Sequence, residues 1–299
     1  MNTIQLIENL KNIPIGYASI REIIQVIHEK KIARLSLNDA ELFAASKIFD
    51  SLGLPYFLSD RKYLSKEDTG KGGFSNSFYG TVGLNVPVGS FLVYIGWNKE
   101  QVAEARFAET SGDNSLLGKY LGYPKCCIHA FTRAQPESAV AQNDFTLPIL
   151  KKNNRELSYD PFSIHLPMYF GYGLFSHFPC STNCSSTSSM SHQTLKTLSQ
   201  VDNTLAGNFS RYQSASYLYT EFDGIFAFFE RTYCKNGLWL YDSGKMEMST
   251  SGLLAENLKR GNQIVIKTPS NFTILWDGNV IVDIKSETVH LMFHEGFPK

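Results

Sequence analysis

The sequence predicts an α+β protein with a small N-terminal α/β unit, a helical centre that bears cysteines, and a β-rich C-terminal part. Helical periodicity alternates with short apolar runs over the first 110 residues. Helical segments then flank two cysteine pairs over 111–206, and strand and turn signals dominate 207–299. The divisions are 1–110, 111–206 and 207–299. No linker separates them, so all three can belong to one domain.

In chain order, residues 18–30 and 38–52 read as helices. In the second, Leu42, Phe43, Ala45, Ile48 and Phe49 recur at helical spacing. Asn38 or Asp39 can cap its start, and Ser51-Leu52-Gly53 supplies the stop. Leu54 to Leu58 is a short strand. Thr69-Gly70-Lys71-Gly72-Gly73 is rich in glycine and carries a lysine, but it lacks the full phosphate-loop pattern and reads as surface loop. Ser90 to Gly96 is a second strand, leading into a helix over about 98–109.

In the centre, Tyr159 to Phe178 is aromatic, with prolines and glycines between. The polar run Ser185 to Ser191 is loop or helix start, and from Met190 the residues Leu195, Leu198, Val201 and Leu205 return to helical spacing. In the last part, Ile264–Ile266 and Phe272–Trp276 are β-like. Asp277-Gly278 is a type I′ turn signal before Asn279–Val282, which predicts a hairpin.

Composition narrows the function. Hydrophobic residues are 43% and charged residues 19%, enough to bury a sizeable core. The 28 basic and 28 acidic residues cancel, so general nucleic-acid binding is not expected and a small-molecule substrate is favoured. Aromatics, at 13%, suit a deep core or an aromatic-lined pocket. No run approaches the ~20 apolar residues of a membrane span. The N-terminus lacks the basic and apolar segments of a secretory signal, so the expected compartment is the cytoplasm, where thiols stay reduced.

Four of the five cysteines form two tight pairs, Cys126 with Cys127 and Cys180 with Cys184; Cys234 stands apart. Gly122 and Pro124 break one helix and start the next, which puts Cys126 and Cys127 in a first turn. There the free backbone N–H groups and the helix dipole favour thiolate over thiol. Cys180 and Cys184 also precede a predicted helix, capped by Ser185 or Ser186. Two helix N-termini facing four thiols suit an anionic, thiolate-ligated centre. Neither pair has the C-x-x-C spacing of structural zinc, so an iron–sulfur cluster fits somewhat better and zinc is the alternative. Neighbouring helical residues point about 100° apart, so Cys126 and Cys127 are not equivalent.

His177 lies three residues before Cys180, and His129 three residues after Cys126 on the same helical face; both are candidate catalytic groups. His165, in the aromatic stretch, is a weaker candidate. The hydroxyls from Ser181 to Ser191 can bond to thiolate but read first as solvated loop. Arg133, Asp144, Asp160 and Glu230 show no catalytic spacing.

The run Leu121-Gly122-Tyr123-Pro124-Lys125-Cys126-Cys127, followed by Phe131 and then by Pro179-Cys180-Ser181-Thr182-Asn183-Cys184, resembles the signature of the prokaryotic domain-of-unknown-function 483 family over about 111–190. The resemblance implies that the four cysteines act as a unit, and it carries no reaction with it. Together these features predict a cytoplasmic enzyme using a cysteine-ligated centre, an iron–sulfur cluster by preference, on a small molecule. The alternative is a structural zinc or cysteine-stapled module that binds a protein or RNA.

Overall fold

The computed structural model describes residues 3–29, 32–65, 78–140, 145–146, 149–150, 159–220, 223–234, 238–268, 271–285 and 289–292. The chain is a mixed α+β fold, as expected. It opens with helices α1 (Thr3–Lys11) and α2 (Tyr17–His28), strand β1 (Ile32–Leu37) and helix α3 (Asp39–Leu52). Asn38 caps α3 in a reciprocal box: its side chain accepts the N–H groups of Ala40 and Glu41, and the Glu41 carboxylate accepts the N–H of Asn38 at 2.8 Å. Gly53 ends the helix at φ 66°, a left-handed conformation that glycine adopts without strain.

The N-terminal sheet has the order β1, β5 (Phe91–Gly96), β2 (Tyr56–Leu58), with both pairings antiparallel. Side chains alternate across a strand, so β5 serves two cores. Phe91, Val93 and Ile95 pack with α1, α2 and α3, while Leu92 and Tyr94 pack with Val102, Ala105 and Ala108 of helix α4 (Lys99–Thr110) and with Leu117 of helix α5 (Asn114–Tyr120). Burial on both faces accounts for the unbroken apolar run Phe-Leu-Val-Tyr-Ile. Strand β1 was not among the expected strands. Its Ala33, Leu35 and Leu37 join the first core, which leaves Arg34 on the α4–α5 side. A short ladder pairs β3 (Lys62–Ser65) with β4 (Phe78–Val82); the glycine-rich loop at 69–73 lies outside the described residues.

After helix α6 (Lys125–Val140) comes the aromatic segment, which includes a 3₁₀ turn at Leu166–Phe170. The helical run expected from Met190 to Leu205 is two helices, α7 (Ser185–Val201) and α8 (Asn203–Gln213). Asp202 separates them, accepting the Leu205 N–H with its carboxylate as the cap of α8.

The remainder is built on two antiparallel sheets. One has the order β10 (Met246–Met248), β7 (Ile225–Phe228), β6 (Ser216–Thr220), β14 (Val289–Met292). The other runs β13 (Asn279–Lys285), β12 (Asn271–Trp276), β11 (Gln263–Thr268), β9 (Leu238–Tyr241), β8 (Arg231–Cys234). Tyr217, Tyr219, Ile225 and Ala227 pack toward the aromatic segment, and Leu218, Phe226 and Phe228 pack toward the second sheet and helix α9 (Leu253–Arg260). The β12–β13 hairpin forms as expected, with Asp277 at φ 47° and Gly278 at φ 83° giving the two left-handed residues of a type I′ turn. No described helix is long and apolar enough to cross a membrane.

Candidate metal centre

The first half of the site is a helix stop followed at once by a helix start. Gly122, at φ 72°, donates its N–H to the Lys119 carbonyl, and Tyr123 donates to the Gly118 carbonyl, a Schellman closure of α5. Pro124 cannot continue that helix. Its carbonyl accepts the N–H groups of Cys127 and Ile128 and so opens α6, placing Cys126 and Cys127 in the first turn. Gly118 lets α5 and α6 cross closely: a Cβ there would lie 2.9 Å from the Ile128 side chain.

The second half is a loop held by the aromatic segment. The Thr182 carbonyl accepts the Asp160 N–H at 3.1 Å and the Ser163 hydroxyl at 2.5 Å, and the Asn183 side chain accepts the Asp160 N–H at 2.7 Å. The chain then enters α7 with Cys184 itself as the capping residue. The sequence expectation of a Ser185 or Ser186 cap is corrected here: those serines are already helical and exposed, and the N-cap position falls to Cys184.

The four sulfurs of Cys126, Cys127, Cys180 and Cys184 all lie within 4.8 Å of one another, a group that can hold a metal ion. Cys126 and Cys127 are 3.8 Å apart, Cys126 and Cys184 3.8 Å, and Cys127 and Cys184 3.7 Å. Burial differs sharply: Cys126 is exposed, Cys180 half-buried, and Cys127 and Cys184 buried. This bears on the expected inequivalence of Cys126 and Cys127, since both sulfurs join the group but only one faces solvent.

Electrostatics separates the thiols further. Burial works against a charge on Cys184, but hydrogen bonds from the Thr187 hydroxyl and backbone N–H outweigh it and bring the thiol down to about 7. Burial pushes the Cys127 thiol far above its usual range, only partly offset by bonds from Thr187 and the Cys180 N–H. Cys180 is pushed up to about 11 by burial and by the neighbouring thiols. Four thiolates this close repel one another, so a cation is what allows all four to be deprotonated together.

Thr187 was missed as a site residue because it sits in a run that reads as solvated loop. It is fully buried, with its hydroxyl 3.4 Å from the Cys127 sulfur and 2.9 Å from Nε2 of His177. With the sulfurs as thiolates, the hydroxyl donates to sulfur and accepts from the His177 N–H. His177 is buried and packs against Tyr123 and Phe175, with ring centroids at 5.1 and 4.8 Å.

His129 is exposed on α6 and joins neither the sulfur group nor the His177–Thr187 pair. His165 is buried, bonded through Nε2 to the Thr146 hydroxyl at 2.6 Å and set edge-on to Phe178. Asp160 accepts the Phe162 N–H in a turn, Glu230 pairs with Lys245, and Asp144 lies outside the described residues. Substituting Thr187 by valine keeps its volume and removes its hydrogen bonds. Because groups that bond to metal ligands typically contribute 10–100-fold in affinity, Thr187→Val will weaken metal retention by about that factor in competition with a chelator, while the helical circular-dichroism signal stays unchanged.

No curated protein and no solved structure matches the chain. Residues 101–206, which run from α4 into α8 and contain Cys126, Cys127, Cys180 and Cys184, match the family described as protein of unknown function (DUF483), so over this stretch the chain is similar to that family.

Proposed function

We propose that the four cysteines hold a single zinc ion as a closed tetrathiolate centre, and that its work is to fix the geometry of a ligand-binding module rather than to react. The observation that carries this reading is the sulfur spacing. A tetrahedron of sulfurs around one ion, with zinc–sulfur bonds of ~2.3 Å, has edges of ~3.8 Å; Cys126, Cys127 and Cys184 stand 3.7 to 3.8 Å apart, and Cys180 lies within 4.8 Å of each. In a four-iron cluster each thiolate binds its own iron at a separate corner, which spreads the sulfurs wider than ligands that share one ion. The spacing therefore favours zinc over the cluster preferred from sequence.

Four thiolates also fill the tetrahedron, and catalytic zinc sites keep one position open. The centre ties the first turn of α6 to the 180–184 loop and the first turn of α7, and the N–H groups of both turns offset its net negative charge. His177 acts in this reading by orienting Thr187, and His129 has no part in it. Thiolates this close together require a reducing compartment, consistent with the cytoplasm.

Metal analysis of protein purified without oxygen tests the reading. One zinc per chain, without acid-labile sulfide and without colour, is expected. Iron with matching sulfide and absorbance near 400 nm would replace it with the cluster.

A further inference from the structure

Beside the centre is a cavity of about 100 Å³ between β1, α5, α6 and the segment at 176–178. We propose that it binds a small carboxylate with a flat apolar body, such as a single ring. This deepens the reading above in one respect only: Cys127 and His177, which the metal would hold in place, form part of the wall.

The walls are mostly apolar. Leu117, Leu121 and Ile128 lie on the α5–α6 side. Phe131 and Phe178 are nearly parallel, with ring centroids 6.3 Å apart and planes 12° apart, and both stack on Phe145 behind them at 4.4 and 5.0 Å. Aromatic faces of this kind receive a flat ring in offset or edge-on contact. The enclosed volume is smaller than the ~150 Å³ of a dry apolar cavity that accommodates benzene, but this cavity is partly open, so a ring can enter it with the polar end left at the mouth.

The charge preference comes from Arg34. Its position on β1 turns it to the α4–α5 side of the sheet, where Nη1 donates to Oε1 of Glu109 at 2.5 Å. Tyr94 donates to the other Glu109 oxygen at 2.6 Å, so this carboxylate is held at both oxygens. Among the described residues Glu109 is the one hydrogen-bond partner of the Arg34 guanidinium, and that side chain remains about a third exposed, at 32%. A guanidinium carries five donors in a planar fork matched to a carboxylate, so its unused edge is ready to donate to one.

Asn114, half-buried, adds an amide to the same lining. The thiolate centre repels anions, so a guest's charge is drawn to Arg34 and its apolar body lies toward Cys127. A multiply charged phosphate lacks that apolar end and gains less from these walls.

The test uses benzoate as the probe and benzamide as its neutral counterpart, titrated by calorimetry into the metal-loaded full chain, with metal content measured on the same sample. Benzoate is expected to bind one per chain with a Kd below about 1 mM, and benzamide at least tenfold more weakly. Arg34→Lys keeps the charge and the contact with Glu109 but loses the fork, and it will weaken benzoate at least tenfold. Asn114→Trp, at the half-buried edge of the lining, will plug the cavity and abolish binding; both variants should melt within a few degrees of the parent. Failure of benzoate to bind the metal-loaded parent, equal binding of benzamide, or unchanged affinity in both variants would each overturn the proposal. Benzoate binding to a chain that retains no metal would leave the cavity assignment standing and remove the zinc reading alone.

Discussion

Cys184→Ala will lose the metal and lower the melting temperature by about 10 °C, the largest effect expected of any single cysteine. Two contributions add at this residue. On the proposed reading Cys184 donates one of four sulfurs, and structural metal binding is folding free energy. It is also buried, at the N-cap position of α7, and truncating a buried side chain typically costs ~1 kcal/mol alone. For a chain of this size each kcal/mol is worth ~2–4 °C.

Cys126→Ala removes an exposed sulfur, so it should release metal with a smaller drop in melting temperature. Metal content by mass spectrometry and calorimetric melting of both variants check this. Full metal in Cys184→Ala would sink the four-thiolate centre. Equal melting losses in the two variants would show that the burial of Cys184 contributes nothing.

The second large effect lies away from sulfur. Arg21 and Glu22 are both buried on α2 and paired at 2.8 Å. Arg21 also donates to the Gln25 side-chain oxygen at 3.0 Å and to the Ser176 hydroxyl at 2.7 Å, and Ser176 donates to Glu22 at 2.5 Å. This network anchors the residue just before His177, and therefore the segment that delivers Cys180.

Glu22→Ala leaves a guanidinium buried without its counter-charge, which typically costs about 3–5 kcal/mol. The double variant Arg21→Met with Glu22→Leu should recover most of that, because a well-packed apolar pair often replaces a buried ion pair at little cost. Urea unfolding of the single and double variants measures both. A loss under about 1 kcal/mol in Glu22→Ala would mean that the pair contributes little to the fold.

What could be read in advance follows from how local each signal is. The cysteine quartet was legible because glycine, proline and sulfur chemistry meet at two helix starts, and α3 and the β12–β13 hairpin were legible from caps and turn residues a few positions apart. Strand β1 was missed although Ile-Ala-Arg-Leu-Ser-Leu alternates, because Arg34 gains its partner only from Glu109, far along the chain. Thr187 was hidden by its neighbours: Ser185, Ser186 and Ser189 are exposed, and only the helix phase turns Thr187 inward. The zinc proposed above was not legible in spacing along the chain, since the proposal rests on sulfur–sulfur distances across elements. The cavity was invisible for the same reason, its walls coming from β1, α5, α6 and the aromatic segment.

The separation of the two cysteine pairs also has a consequence during synthesis. Cys127 precedes Cys184 by 57 residues, so at a translation rate of ~5–20 residues per second the first pair waits roughly 3–11 s for its partners to be made. Throughout that interval the nascent chain displays adjacent thiols with no enclosed site to protect them. Metal capture must come late, after α7 has begun to form. On the reading proposed above, a cell short of the metal, or one under oxidative stress, would therefore damage this protein as it is being made more readily than once it has folded.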